Sequence, residues 1–206
     1  MAEIRGVVFD LGGVVVEWDP MHLYRNVFRG EEAKAADFLA HICTPAWNEK
    51  QDAGRPLDEA AAELVARHPE WEAEIRAYYD RWIEMIGGPV PGTREVMAEL
   101  KAAGVRLFAL SNWSAETFPR IAERFEELAM FEQIVLSGEH GCVKPEARLF
   151  RIAIERFAVP VRELVFVDDS LRNVAGAEAV GLRALLFRDA AKLRSDLAAL
   201  GLPLGA

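Results

Sequence analysis

The chain has 206 residues, 51% of them apolar, with 24 Lys and Arg against 33 Asp and Glu and a formal net charge of −9. This composition is typical of a folded globular protein and excludes an intrinsically disordered one. The acidic balance argues against binding to nucleic acid or to an anionic membrane surface, and the two cysteines are too few for a disulfide framework.

The start of the chain combines an apolar run with a single acid. Residues 4–9 are rich in Val, Ile and Phe, which predicts a short buried strand. The wider stretch 6–16 contains Asp10 and is shorter than the roughly 20 residues that a membrane span needs. We therefore expect a cytoplasmic protein with no membrane and no nucleic-acid partner.

A long helical segment follows, from about residue 20 to residue 88. Its apolar spacing predicts helices at 21–29, 31–42, 57–67 and 70–86 and no strand. Pro56 and Pro69 suit the first turns of the last two helices, and Gly87-Gly88-Pro89 is a helix breaker.

The rest of the chain alternates between strands and helices. Strands are predicted at 105–110, 133–136, 164–167 and 183–187. The clearest helix is 93–103, with Thr93 as its N-cap and Gly104 just after its end. This alternation predicts an α/β fold with a doubly wound, Rossmann-like parallel sheet. It divides the chain into a core, 1–17 and 89–206, and an all-helical cap, 18–88, inserted after the first strand.

Polar residues and a glycine pair lie where the predicted strands end or where the next helix begins. Since the carboxyl ends of parallel strands share one edge of a sheet, these residues should form one site. Clustered carboxylates need a cation, and Mg²⁺ prefers oxygen ligands. A lysine, a hydroxyl and backbone N–H groups could hold an anion beside it, and a carboxylate there could attack phosphorus. The residues are Asp10, Gly12, Gly13, Ser111, Asn112, Lys144, Asp168, Asp169 and Asn173.

Four motifs in this order, with a helical insert after the first, resemble the haloacid dehalogenase (HAD) superfamily of hydrolases. The first motif, Asp10-Leu11-Gly12-Gly13-Val14, is similar to that of the small sugar-phosphatase-like branch with an α-helical (C1) cap. The resemblance covers nearly the whole chain. It implies a Rossmann-like core and, in a phosphatase, Mg²⁺-dependent hydrolysis through a phospho-aspartate.

The resemblance also assigns roles to the acidic and glycine positions. Asp10 would be the nucleophile and a metal ligand, and Gly12 would bind the metal through its carbonyl oxygen. Asp169 would contact the metal directly, with Asp168 direct or one shell behind it, and Asn173 would support that loop.

The remaining motif positions would bind phosphate. Gly13 would supply a backbone N–H, and Ser111 and Asn112 would hold phosphate oxygens. Lys144 would bridge the phosphate and the nucleophile. It is one of only five lysines in the chain, and a compact ammonium suits a phosphate.

One position departs from the family pattern. Many HAD phosphatases carry a second Asp two residues after the nucleophile, which acts as general acid and base, and here that position is Gly12. We expect a residue of the flap or cap to replace it, with Glu17, Asp19 and His22 in the right stretch.

Aromatic residues of the cap have two interpretations. Trp47 begins a short helix in which its indole could cover a sugar, or it could pack in the cap interior. Tyr78, Tyr79 and Trp82 are interpreted as a helix face that buries apolar cap surface, without a substrate role.

The sequence therefore predicts a Mg²⁺-dependent phosphatase that hydrolyses a small phosphorylated metabolite, for example a sugar phosphate, as a monomer or a homodimer. One alternative is a metal-independent 2-haloacid dehalogenase that uses Asp10 as its nucleophile. The acidic pair Asp168-Asp169 counts against it, because those enzymes usually carry a neutral fourth motif. A second alternative is a non-catalytic, HAD-like protein that binds metal and phosphate for regulation.

Overall fold

The computed structural model of the protein describes residues 3–205. The ends of the predicted core, residues 1, 2 and 206, lie outside that range. Within it, no helix has the length and apolarity needed to cross a membrane. The strands are β1 Gly6–Phe9, β2 Val16–Trp18, β3 Ile86–Pro89, β4 Arg106–Ser111, β5 Gln133–Leu136, β6 Leu164–Asp168 and β7 Arg183–Leu186. The α-helices are α1 Pro20–Val27, α2 Glu32–His41, α3 Pro45–Asp52, α4 Leu57–Arg67, α5 Glu72–Asp80, α6 Thr93–Ala102, α7 Pro119–Ala122, α8 Ala147–Phe157, α9 Leu171–Ala179 and α10 Ala190–Ala199.

Five of the strands form a parallel sheet in the order β5-β4-β1-β6-β7. Strand β1 is central, and it pairs with β4 on one side and with β6 on the other. Strands that follow β1 in the chain lie on both sides of it, β4 and β5 on one side and β6 and β7 on the other. Where the strand order reverses in this way, a crevice opens at the carboxyl ends of the strands. The predicted α/β fold with a Rossmann-like sheet is confirmed.

The side chains of the central strands alternate between two apolar clusters. Val7 and Phe9 belong to one cluster, and Val8 belongs to the other. All three are fully buried, which is why the strand is a nearly continuous apolar run. The first cluster continues into the helical segment, where it includes Tyr24 and Tyr78.

Helices α1 to α5 lie between β2 and β3, which pair antiparallel as a small second sheet. The expectation of no strand up to residue 88 was wrong, because β3 begins at Ile86. Glycine is a poor strand former, but here it allows close contact. A Cβ atom at Gly87 would lie 2.6 Å from the Glu17 carboxylate. The expected cap boundaries at residues 18 and 88 fall within β2 and β3, the two strands of this small sheet. The division into a core and a cap stays a prediction.

Two helix ends differ from the prediction. Gly92, not Thr93, occupies the N-cap position of α6, with φ of +79°, and a Cβ atom there would lie 2.8 Å from Ala190. The left-handed turn and the close contact both require glycine. The helix predicted at 70–86 is divided: α5 ends at Asp80, and Trp82–Met85 is a separate 3₁₀ turn that redirects Trp82.

Candidate active site

The carboxyl ends of β1, β4 and β6 bring the predicted motif residues together. Asp10 follows β1, Ser111 ends β4 and Asp168 ends β6. All three are buried, with Asp10 only 8% exposed. The Ser111 hydroxyl donates to Asp10 Oδ1 at 2.8 Å, and the Leu11 N–H donates to the same oxygen at 2.7 Å. The carboxylate of Asp10 is therefore held in one orientation.

Lys144 connects two of these carboxylates from a position with no solvent exposure. Its Nζ lies 2.9 Å from Asp10 Oδ2 and 2.7 Å from Asp168 Oδ2, and it donates to the Leu110 carbonyl at 3.0 Å. An ammonium has three donors, and these contacts use all of them. A lysine so buried requires such partners, which explains its position between two acids.

The loop after β6 is fixed by its own side chains. The N–H of Ser170 donates to Asp168 Oδ1 at 2.8 Å, and Asn173 Nδ2 donates to both oxygens of Asp168 at 3.0 and 3.1 Å. Asn173 thus lies where it can support this loop. Asp169 is the exposed member of the pair, and it lies against Gly13, where an added Cβ atom would be 2.4 Å from its Oδ2.

The acids at this edge fit a divalent cation. Oxygen atoms of Asp10, Asp168 and Asp169 lie within 4.8 Å of one another. Burial raises the pKa of Asp10 to about 7, opposed by Lys144 and reinforced by Asp168. Partial burial, together with Asp168, also raises the pKa of Asp169. One ammonium therefore does not compensate the clustered negative charge, and a hard cation among these oxygens would do so.

Lys144 stays charged in this setting. Burial lowers its pKa, but the adjacent carboxylates of Asp10 and Asp168 outweigh burial and raise the pKa above the ordinary value for lysine. The ammonium therefore contributes a permanent positive charge beside Asp10.

Asn112 lines the cavity in front of Asp10, yet its side chain is engaged elsewhere. Its Oδ1 accepts the Lys144 N–H at 2.7 Å, and its Nδ2 donates to the Lys144 carbonyl at 3.1 Å. This two-way contact fixes the backbone of Lys144. The role that the structure supports for the Asn112 side chain is to position that lysine.

The cavity at this edge has a volume of about 280 Å³. Its walls combine polar and aromatic side chains from the core and from the helical segment. They come from Asp10, Gly12, Gly13, Trp18, Asn48, Asp52, Trp82, Ser111, Asn112, Trp113, Thr117 and Asp169. Trp82, expected to pack only in the cap, also lines this cavity, and its ring centroid lies 5.6 Å from that of Trp113.

Trp47 is not among the residues that line this cavity. It is 5% exposed, and its ring centroid lies 5.1 Å from Tyr78 and 5.4 Å from Tyr79. The structure thus places Trp47 in the apolar packing of the helical segment. The next residue, Asn48, faces the cavity instead.

The candidate replacements for the missing acid lie elsewhere. Glu17, Asp19 and His22 do not line the cavity itself but an adjoining surface depression, which shares Gly13 and Trp18 with it. The Asp19 carboxylate caps α1 by accepting the Met21 N–H at 2.8 Å. Asp52, the last residue of α3, faces the cavity and was missed from the sequence. Its position at the end of a cap helix, 42 residues after Asp10, carries no motif that could have indicated it.

Curated relatives include phosphatases. The sesquiterpene phosphatase astK of Aspergillus oryzae is 25% identical over 185 residues, which cover 90% of each chain. The drimenol cyclase drtB of Aspergillus calidoustus is also 25% identical, over 94% of this chain but only 36% of its own length. The chain thus spans about a third of one relative and most of the other.

Solved structures share the fold over nearly the whole chain. A predicted HAD-like family hydrolase from Porphyromonas gingivalis matches with a TM-score of 0.76 and 22% identity, covering 97% of this chain and 98% of the other. The HAD family enzyme bt-2542 from Bacteroides thetaiotaomicron, a point mutant in complex with magnesium and inorganic phosphate, matches with a TM-score of 0.68 and 20% identity, covering 90% and 95%.

The family model of the haloacid dehalogenase-like hydrolases matches residues 4–181. That range contains the whole cluster around Asp10, Lys144 and Asp168. The chain therefore belongs to the haloacid dehalogenase-like hydrolase family.

Proposed function

We propose that the protein is a Mg²⁺-dependent phosphatase that hydrolyses a small phosphorylated metabolite through an aspartyl-phosphate on Asp10. The observation that carries the proposal is the cluster of three carboxylates around one buried lysine. The phosphatase names among the relatives support the same reaction class. A fold alone does not determine a reaction, so the argument depends on these side chains.

The chain's own residues prepare Asp10 for attack on phosphorus. Ser111 and Lys144 each bind one of its oxygens, which fixes the carboxylate at the floor of the cavity. The charge of Lys144 favours an anionic phosphoryl group and opposes protonation of the nucleophile. The structure does not leave the two predicted phosphate donors free, because the Gly13 N–H donates to the Val16 carbonyl at 2.9 Å and the Ser111 hydroxyl donates to Asp10. Either group would have to exchange that partner to bind a phosphate oxygen.

The residues that would hold Mg²⁺ are Asp10 and Asp169 through their carboxylates and Gly12 through its carbonyl oxygen. Asp168 is occupied by Lys144, Ser170 and Asn173, so it would act mainly by orienting them. When bound, the ion would neutralise charge on the transferring phosphoryl group.

The residues that line the cavity indicate which kind of leaving group it would accept. Trp18, Trp82 and Trp113 supply flat apolar surface beside the polar Asn48 and Thr117. A small ring-shaped or partly apolar leaving group, a sugar included, fits this mixture. Asn48 belongs to α3, so the helical segment would close over the substrate as a cap and exclude water from the first step.

The dehalogenase alternative fits the electrostatics less well. A 2-haloacid carries its own carboxylate, which Asp10, Asp168 and Asp169 would repel in the absence of a cation. Release of chloride from 2-chloropropionate in EDTA would support that reaction over ours.

Hydrolysis of para-nitrophenyl phosphate and of a panel of sugar phosphates, with Mg²⁺ or with EDTA, tests the proposal. We expect turnover only with Mg²⁺, and a loss of at least about 1,000-fold in Asp10→Asn, because the nucleophile is removed. Asp37→Asn, on the exposed surface of α2, is the matched control and should retain full activity.

Metal-independent turnover, or full activity in Asp10→Asn, would overturn the phosphatase mechanism. A stable phosphoryl adduct on Asp10 without hydrolysis of any ester would favour the regulatory alternative instead.

A further inference from the structure

We propose that Asp52 is the general acid and base of this site, and that it replaces the carboxylate absent at Gly12. The inference depends on the phosphatase function proposed above. It assigns to one cap residue the proton transfers that hydrolysis of an unactivated phosphate ester requires.

Asp52 faces the nucleophile's cavity from the end of α3. It lines the same cavity as Asp10. The acids that line this cavity are Asp10, Asp52 and Asp169 among the described residues, and the first and third belong to the nucleophile and the metal site. Asp52 is thus the acid that remains for proton transfer.

Hydrogen bonds hold the Asp52 carboxyl group in place. Asn48 Nδ2 donates to its Oδ2 at 2.9 Å. The backbone N–H of Ser114, in the loop after β4, lies close enough to lower the pKa of the carboxyl. Its backbone carbonyl accepts the Ser137 hydroxyl. The group is therefore tied to both the cap and the core.

Two glycines bring this end of α3 close to the core. Gly54 has φ of +95°, and a Cβ atom there would lie 2.8 Å from the Gly138 carbonyl oxygen. A Cβ atom at Gly138 would lie 2.6 Å from the Ala115 nitrogen. A larger residue at Gly54 would push the end of α3 away from the loop after β5, and one at Gly138 would push that loop away from the loop after β4. Gly54 therefore sets the approach of α3 to the core, and Gly138 sets the packing of the two loops beneath it.

The environment of Asp52 favours its protonated form. Burial raises its pKa to about 8, the Glu49 and Asp10 charges add to that effect, and the Ser114 N–H opposes it. At neutral pH the group is a proton donor, as the first step needs. The titratable groups that interact with it are Glu49 on its own helix, Asp10 after β1, and Tyr78 and Tyr79 on α5.

Asp52 would donate a proton in the first step and recover one in the second. In the first step an oxygen of Asp10 bonds to phosphorus, the ester P–O bond breaks, and the Asp52 proton passes to the departing oxygen to give an alcohol. In the second step the Asp52 carboxylate takes a proton from water as the water oxygen bonds to phosphorus. The bond between phosphorus and Asp10 breaks, phosphate leaves, and both side chains return to their starting states.

Two aryl esters of nearly equal size test the role: phenyl phosphate, whose leaving group needs a proton, and para-nitrophenyl phosphate, whose leaving group does not. In Asp52→Asn with Mg²⁺ we expect kcat/KM to fall by about 100- to 1,000-fold for phenyl phosphate. For para-nitrophenyl phosphate the fall should be less than about tenfold. The wild-type enzyme provides a second measurement. Above pH 8 its kcat/KM for phenyl phosphate should fall relative to that for para-nitrophenyl phosphate.

An equal loss on both esters, or no loss, would overturn the role of Asp52 and leave the proposed phosphatase function intact. If Asp52→Asn does not fold, the wild-type pH profiles decide, and parallel profiles for the two esters would overturn it. Absence of wild-type turnover on both esters with Mg²⁺ would instead overturn the phosphatase function, and the role of Asp52 with it.

Discussion

The missing Cβ atom of Gly13 leaves room for the carboxylate of Asp169, one of the proposed metal ligands. Its φ is +75°, and a Cβ atom would lie 2.4 Å from Asp169 Oδ2. Alanine at this position therefore has two costs, a strained backbone and a displaced carboxylate. Gly104 carries the first cost alone, because its φ is +80° and an added Cβ atom would meet nothing within 4 Å.

We predict that Gly13→Ala and Gly104→Ala each lower the free energy of unfolding by about 1 kcal/mol, because both force alanine into the left-handed region. Gly13→Ala alone should raise the Mg²⁺ concentration for half-maximal hydrolysis of para-nitrophenyl phosphate, by about tenfold or more. Urea unfolding and a Mg²⁺ titration measure the two effects. An unchanged Mg²⁺ requirement in Gly13→Ala would show that Asp169 does not bind the ion.

The sequence predicted which residues form the candidate site, because they lie at the ends of predicted strands. It did not predict the contacts among them. The prediction that Asp10, Ser111 and Asp168 form one site came from their places at the ends of apolar strands in a parallel sheet, and the structure brings them together at that edge. The engagement of Asn112 with the Lys144 backbone, and the approach of Asp52, depend on loop paths between distant segments. No local pattern in the sequence encodes those paths.

At the scale of elements, a hydrogen-bond chain runs from α5 through α3 to Asp52. The Tyr79 hydroxyl donates to Asn48 Oδ1 at 3.0 Å and accepts from Gln51 Nε2 at 3.0 Å. The amide of Asn48 then donates to Asp52. The orientation of the proposed acid therefore depends on a tyrosine of another helix.

We predict that Tyr79→Phe lowers the free energy of unfolding by about 1–2 kcal/mol, because Gln51 and Asn48 lose a buried partner. It should also lower kcat/KM for phenyl phosphate about three- to tenfold, since Asn48 no longer holds Asp52 in place.

Tyr24→Phe is the matched control, because this buried hydroxyl donates to the Glu74 carbonyl at 2.9 Å, within the same set of helices. It should cost similar stability and leave kcat/KM unchanged. Equal activity in the two variants would mean that this chain does not position Asp52.

Element types followed from the sequence wherever the pattern was strong. Strand β5 and helix α4 have the bounds predicted for them, because apolar periodicity and Pro56 mark them locally. The strand at 86–89 could not be predicted from Gly87 and Gly88, since it exists only through pairing with β2 some 70 residues earlier. The break after α5 likewise depends on the cavity that Trp82 faces, which is a tertiary feature.

At the scale of the whole molecule, acids buried at one edge of the sheet couple folding to pH. Asp10 and Asp52 have pKa values of about 7 and about 8, raised mainly by burial. Between the ordinary carboxyl pKa and these values the folded chain binds more protons than the unfolded chain. Stability is therefore greatest at the acid side of this window and is lost as pH rises through it.

The free energy of unfolding in EDTA should accordingly fall by about 2 kcal/mol or more between pH 5 and pH 8, given about 1.4 kcal/mol for each unit of pKa shift. Mg²⁺ should reduce that fall, because it binds the deprotonated carboxylates of the folded state and its stabilisation grows with pH. Urea unfolding at each pH, with and without the ion, measures both effects. Asp52→Asn should show a shallower fall in EDTA than the wild type, since its side chain cannot ionise in either state. A flat profile for the wild type in EDTA would mean that these acids are no harder to ionise in the folded protein than in the unfolded chain. That result would contradict the electrostatic argument for the proposed metal site.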